Sequence, residues 1–398
     1  MKKILIFTAA LLALAACNKD DIKEINRGQA IDFRMPLTKA TEYTTADIEN
    51  FKVTAFTENG NLYFEDVTFT KNGEYFTSEH PYYWPATESL TFYAYNPNDT
   101  DLTGLVVDKT GVKISEYTPS TSISEQLDII VAKATGDKSN EQNGIEIKFQ
   151  HQLSNIEVRA LNTNEAYTFS IKGVRIANVY PTGNLNNGLW EETGNLTTYQ
   201  VDYTEPMTVT EDVSLLGDEG DNAMLIPQYT KAWDVKNNPT NSLEVNVPEA
   251  TENDTEGEGD DETGDETDDE TGDETGDETG DETGGETEEP YVGSYISILV
   301  QINQIIKNEG ENPTTRRVYP AKTDYAWLAI PVEFTWEPGY KYVYTLNLGT
   351  GGGYVDPDQD PNVDIVEKPG EKILGGAMKF DAQQSDLGWS WNSYYQEN

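Results

Sequence analysis

An all-β protein of two antiparallel β-sandwich domains, the second carrying a disordered acidic insert, is the fold this sequence predicts. Three observations predict it. Aromatic residues make up 11% of the 398-residue chain, with 23 tyrosines, beside many Thr, Val and Ile. These residue types suit a pleated, half-buried strand better than a helix. Short segments alternate apolar and polar side chains at the period of two that a strand requires. Clusters of Gly, Pro, Asn and Asp separate those segments and supply turn chemistry.

The leader stands apart from the fold. Lys2 and Lys3 precede an apolar run over residues 4–16. That run is too short to span a bilayer comfortably and ends in small residues, the layout of a secretory signal. Leu-Ala-Ala-Cys at 14–17 resembles the bacterial lipobox. The resemblance implies cleavage before Cys17 and acylation of its thiol and new amino group. Cys17 is the only cysteine, so no intramolecular disulfide can form. Three acyl chains exceed the two needed for stable anchoring, which places the chain on a membrane. Residues 17–27 then read as a lipidated tether. Within it, Lys-Asp-Asp at 19–21 resembles the surface-export signal of Bacteroidetes lipoproteins, or is an ordinary charged spacer.

The first domain is expected over 28–143. Strand-like sequence appears at 30–33, 51–55 and 61–70, followed by a Lys-Asn-Gly-Glu turn at 71–74. Residues 90–95 alternate again and end at the Asn-Pro-Asn-Asp turn of 96–99. Residues 126–134 read as a further strand. The second domain is expected over 144–398 and begins where Ile145, Ile147 and Phe149 alternate with polar residues. Residues 153–161 and 167–179 continue the pattern, 184–188 is a turn cluster, and 223–227 is a short apolar run. Strands are expected again at 295–302, 326–334, 341–348 and 377–383, with a Glu-Pro-Gly turn at 337–339 and a Gly/Pro/Asp loop over 351–369.

The net charge of −44 is concentrated. Residues 249–289 hold 22 acidic residues and no Lys or Arg, half of the total charge. From Asp261, six four-residue units follow without a break, five of them Asp-Glu-Thr-Gly. Such a segment has nothing apolar to bury and repels itself, so disorder is expected. A flexible chain of this length spans about 35 Å on average. Strand-like sequence resumes directly afterwards, so the tract reads as a surface loop inserted into one domain. Loop-closure entropy grows only slowly with length, so the insertion costs little stability. The rest of the chain shows no basic stripe to neutralise phosphates, which argues against nucleic-acid binding.

No catalytic site, metal or cofactor is expected. Nucleophilic catalysis needs a base beside a nucleophile. The two histidines, His80 and His151, read as structural, and the lipid consumes the one thiol. The alternating aspartates Asp356, Asp358 and Asp360 are interrupted by prolines, unlike an EF-hand loop. Two aromatic clusters, Tyr82, Tyr83 and Trp84 and then Trp389, Trp391, Tyr394 and Tyr395, either pack in cores or form platforms for sugars.

Several motifs together resemble one family. Pro-Tyr-Tyr-Trp-Pro at 81–85 and Leu-Thr-Phe-Tyr-Ala-Tyr-Asn-Pro at 90–97 look like the signature of Bacteroidetes fimbrillin-like lipoproteins. Asp-Ile-Ile-Val-Ala at 128–132, Phe-Gln-His-Gln-Leu-Ser at 149–154, Ile-Pro-Gln at 226–228 and Trp-Glu-Pro-Gly-Tyr-Lys-Tyr at 336–342 follow in the same order. The resemblance implies two transthyretin-like β-sandwich domains in a subunit of type V pili, as shaft, anchor or tip, or in a related surface adhesin. It implies a lipid anchor in the outer membrane, other pilin subunits as partners, and host or bacterial surface ligands. It further implies that an Arg-specific protease removes a first strand, leaving a groove that a neighbour's strand fills by β-augmentation. Arg27 and Arg34 are the candidate cleavage positions, and only a cut after Arg34 removes residues 30–33. A surface glycan-binding lipoprotein using the aromatic clusters is the alternative reading.

Overall fold

The computed structural model describes residues 30–35, 48–96, 102, 104–210, 212–217, 222–243, 292–307, 310 and 312–386. Cys17, Arg27, the tether, the acidic tract of 249–289 and the aromatic end at 389–395 lie outside the described residues. Among the described residues the regular structure is β-strand, relieved only by two single 3-10 turns at Ile123–Glu125 and Lys138–Asn140.

The N-terminal part forms an eight-stranded sheet. Its spatial order is Gln150–His151, Ile130–Gly136, Leu90–Asn96, Asn50–Thr57, Leu62–Asn72, Tyr75–Ser78, Phe33–Arg34 and Ile145–Glu146. Phe33 and Phe92 sit on strands four spacings apart, which in a flat sheet is about 19 Å. Their ring centroids are 5.2 Å apart. The sheet therefore curls until its two ends face one another across a core of Ile31, Phe33, Phe51, Phe69, Phe92, Ile147 and Phe149. Segment 145–149, read from sequence as the start of the second domain, packs in this first core.

The C-terminal part is a sandwich of two sheets. One contains Val213–Ser214, Ser154–Leu161, Tyr340–Asn347 and Lys379–Asp386 in that order, with Ala223–Leu225 also paired to Ser154–Leu161. The other runs Thr197–Thr208, Tyr167–Val179, Tyr295–Ile306, Ala326–Pro331 and Tyr354–Val355, with Thr314–Tyr319 on Tyr295–Ile306. Alternate residues fill the space between them. Ile156, Val158 and Ala160 from one sheet meet Ile171, Val174, Ile298, Val300 and Leu328 from the other. Among the described strands two pairs are parallel where the sequence suggested only antiparallel ones. These are Ser154–Leu161 with Tyr340–Asn347, and Phe33–Arg34 with Ile145–Glu146.

A four-stranded sheet draws on both parts. Leu105–Asp108 and Gly111–Tyr117 pair with Thr182–Asn186 and Leu189–Thr193. Asn187 and Gly188 make the hairpin turn at φ +53° and +83°, the two positive values that an Asn-Gly hairpin turn supplies. This sheet covers the outer face of the curled one, where Phe56, Tyr93, Tyr95 and Val131 meet Ile114, Leu185, Met224 and Ile226.

The described residues on either side of the acidic tract meet one another. The Asn241 side chain accepts from the Gly293 amide at 2.8 Å and donates to its carbonyl at 2.9 Å. Trp233 N donates to Ser294 O at 3.0 Å, and Ser294 N to Lys231 O at 2.9 Å. A Cβ on Gly293 would stand 2.3 Å from the Trp233 backbone, so only glycine permits this approach.

Candidate functional site

Residues 30–35 are the first described segment, and the fold encloses them. Ile31 N donates to Tyr82 O at 2.8 Å on one side. Ile145 N donates to Asp32 O at 2.8 Å and Ile147 N to Arg34 O at 2.9 Å on the other. Phe33 is fully buried, its ring 4.8 Å from Phe69 and 5.2 Å from Phe92 in edge-to-face contacts. Alternation turns Arg34 outward, where it pairs with Glu146 at 3.4 Å with both side chains substantially exposed. A cut after Arg34 would therefore release Ile31 and Phe33. Lost with them are the acceptors of Ile145 N and Ile147 N and the donor to Tyr82 O, leaving an apolar slot walled by Phe51, Phe69 and Phe92.

The last described strand is built oppositely. Lys379–Asp386 pairs along its full length with Tyr340–Asn347 at the sheet edge. Its side chains from Lys379 to Ser385 are exposed, and Phe380 reaches only Tyr344, at 6.5 Å. The segment Met-Lys-Phe-Asp at 378–381 repeats the apolar, charged, Phe, charged order of Ile-Asp-Phe-Arg at 31–34.

Four of the six motifs that carried the family resemblance converge on the joint between the two parts. Gln228 accepts from Tyr180 N at 2.7 Å and donates to Tyr180 O at 3.1 Å through its side chain. Its backbone exchanges two hydrogen bonds with Trp336, at 3.1 and 2.9 Å. Gly339, at φ +80°, donates to Leu153 O at 3.0 Å, and Ser154 Oγ donates to Glu337 O at 2.9 Å. Trp190 Nε1 donates to Gln152 O at 2.6 Å. His151 is buried, and its Nδ1 meets the Asp128 carboxylate. The structure thus brings 128–132, 149–154, 226–228 and 336–342 together, as a lock on the chain where it passes from one core to the next.

Other candidate residues do not gather into a site. His80 is exposed in a loop, far along the chain from His151 and serving only as a backbone acceptor for Ser78 Oγ. Trp84 and Tyr82 pack inward, Trp84 against Phe92 at 5.9 Å and Tyr82 against Phe64 at 4.6 Å. That removes the Trp84 platform from the glycan-binding reading and leaves Tyr83 as the exposed member. Asp356 is fully buried and accepts from Tyr295 OH at 3.0 Å, from Ser297 Oγ and from Asp358 N at 2.8 Å. Burial pushes its carboxyl above the usual range, against those hydrogen bonds and Arg175 at 3.8 Å. Its oxygens are spent inside the fold. Among the described residues, no group of three or more His, Cys, Asp or Glu is placed to hold a metal ion.

What remains is an all-β protein whose distinctive features are strand edges and a locked joint, the features of a structural assembly protein. The chain belongs to the fimbrillin-like family, whose model matches residues 38–365. It is accordingly a non-catalytic cell-surface protein of fimbrial type. Among solved structures it is similar to a fimbrial protein from Bacteroides vulgatus, with 12% identity, a TM-score of 0.49, and coverage of 91% of this chain and 100% of that one. It is also similar to a fimbrial assembly protein from Parabacteroides distasonis, with 10% identity, a TM-score of 0.35, and coverage of 80% and 90%. No curated protein matches the chain.

Proposed function

We propose that this chain is a lipid-anchored subunit of a type V pilus or related adhesin, joined to its neighbours by strand exchange. The observation that carries the proposal is the placement of residues 30–34. An apolar strand with partners on both sides ends at an exposed arginine, so one cut there opens a strand-shaped groove. Cleavage after Arg27 would leave the strand in place. Because the Arg34 carbonyl is tied to Ile147 N, the segment must first peel from the sheet to enter a protease as an extended chain.

The incoming donor restores the lost backbone hydrogen bonds, and its alternate side chains refill the pockets of Ile31 and Phe33. The exposed strand Lys379–Asp386 is paired along one edge only, and Phe380 together with Met378, which is buried just ahead of the strand, has the spacing those pockets need. Acylation of Cys17 would hold the uncut form on the outer membrane, while cutting frees it for assembly. The division into two domains falls, on this reading, at the lock near His151.

The test is the N-terminal residue of the protein recovered from cells and from shed fibres. Acylated Cys17 on cells and Met35 in fibres are expected. Acylated Cys17 in both, with fibres unaltered by deletion of the gene, would refute the shaft role.

A further inference from the structure

The strands Ser154–Leu161 and Tyr340–Asn347 run parallel with Asn155 directly beside Lys341. Paired residues in a parallel ladder project from the same face, and residue i+2 on one strand shares that face. Asn155, Glu157 and Lys341 therefore stand together, turned away from the core that Ile156 and Val158 fill. All three are withdrawn from water. Asn155 is 7% exposed, the Glu157 side chain 5% and the Lys341 side chain 12%. Lys341 Nζ lies 3.1 Å from Glu157 Oε2. Among the described residues the Asn155 amide nitrogen reaches the Met224 sulfur, at 3.6 Å, and its buried carbonyl oxygen has no hydrogen-bond partner. Leaving a buried amide carbonyl without a hydrogen-bond partner is costly.

We propose that Lys341 and Asn155 form an intramolecular isopeptide bond, with Glu157 carrying the protons. Glu157 takes a proton from the Lys341 ammonium. The free amine attacks Asn155 Cγ, and the new C–N bond forms as the carbonyl opens to a tetrahedral centre. Glu157 returns its proton to the departing nitrogen. The Cγ–Nδ2 bond breaks, ammonia leaves, and the carbonyl closes as a secondary amide. Ammonia takes up the remaining proton as ammonium, so atoms and charge balance without oxidant or cofactor.

Arg159 makes the product favourable at this place. It pairs with Glu157 Oε1 at 2.6 Å and with Asp212 at 2.9 Å. When the lysine loses its charge, Glu157 keeps a counter-ion, and a buried ammonium has been removed from the fold. The bond would staple the parallel pair that carries the closing strand, across a loop that encloses the acidic tract. It rests on none of the reasoning about cleavage or strand exchange.

The test is mass spectrometry of the purified full chain. The wild type is expected one ammonia lighter than its mature sequence, and its digest should yield a branched peptide joining residues 155 and 341. Lys341→Arg keeps the charge and the ion pair and should show neither, as should Glu157→Gln. A wild type of unaltered mass without the branched peptide overturns the proposal. So does the same mass loss in Lys341→Arg.

Discussion

The first and last strands of the fold make opposite bargains with solvent. Phe33–Arg34 is hydrogen-bonded on both edges, and its Phe33 ring is buried among other aromatic rings. Lys379–Asp386 is hydrogen-bonded on one edge and exposes its side chains. They differ by one paired edge and, more, by apolar burial, the dominant favourable term in folding. The difference teaches that removing the first leaves an unsatisfied slot in the core, while removing the last leaves a covered core and an open edge.

The same substitution at both ends measures this. Phe33→Ala should cost about 3–5 kcal/mol in urea unfolding, the range for a buried aromatic whose site cannot collapse. Phe380→Ala should stay within about 0.5 kcal/mol, as exposed substitutions do. Comparable losses at the two positions would break the contrast.

A control comes from the lock, which belongs to neither end. Gln228→Ala leaves Tyr180 N and O without partners inside the protein, at a cost of about 1–3 kcal/mol. Its effect should be additive with that of Phe33→Ala, since the two sites share no contacts. Non-additivity in the double variant would mean that the first strand and the lock act as one unit.

The loop leading to the last strand is sensitive to pH through Asp356. Its carboxyl is raised above the ordinary 3.8 by burial. A group raised on folding contributes stability that is fully present below its unfolded value and lost as pH climbs through its folded value. The wild type should therefore lose stability relative to Asp356→Asn as pH rises above 3.8. A difference that stays constant across that range would contradict it. The effect at Arg34 is small as well. Its partly exposed pair with Glu146 should give a coupling of about 0.2–1 kcal/mol in a double-mutant cycle, so Arg34 does little to brace the fold.

Legibility followed burial. The strand Tyr167–Val179 could be read in full because its burial alternates through most of its length. Thr197–Thr208 and Thr314–Tyr319 escaped, because exposed strands show no apolar period. Residues 126–129 read as strand, yet the strand begins at Ile130, and Gln126 instead holds Met224 N and Ser120 O with its side chain. The arginines and the motifs of the lock were visible as residues. Their meaning was not, because the insertion of Phe33 beside Ile145 and the meeting of Gln228 with Trp336 are long-range pairings that no local pattern encodes. Asn155, Glu157 and Lys341 were missed for the same reason, since they become neighbours only in the parallel ladder.

Light scattering on two versions of the chain, one beginning at Gly28 and one at Met35, tests the central claim most directly. The Gly28 form is expected to stay monomeric while the Met35 form assembles head to tail, and a peptide of sequence 28–34 is expected to cap that assembly. A Met35 form that remains a folded monomer, or a Gly28 form that assembles equally well, would contradict it.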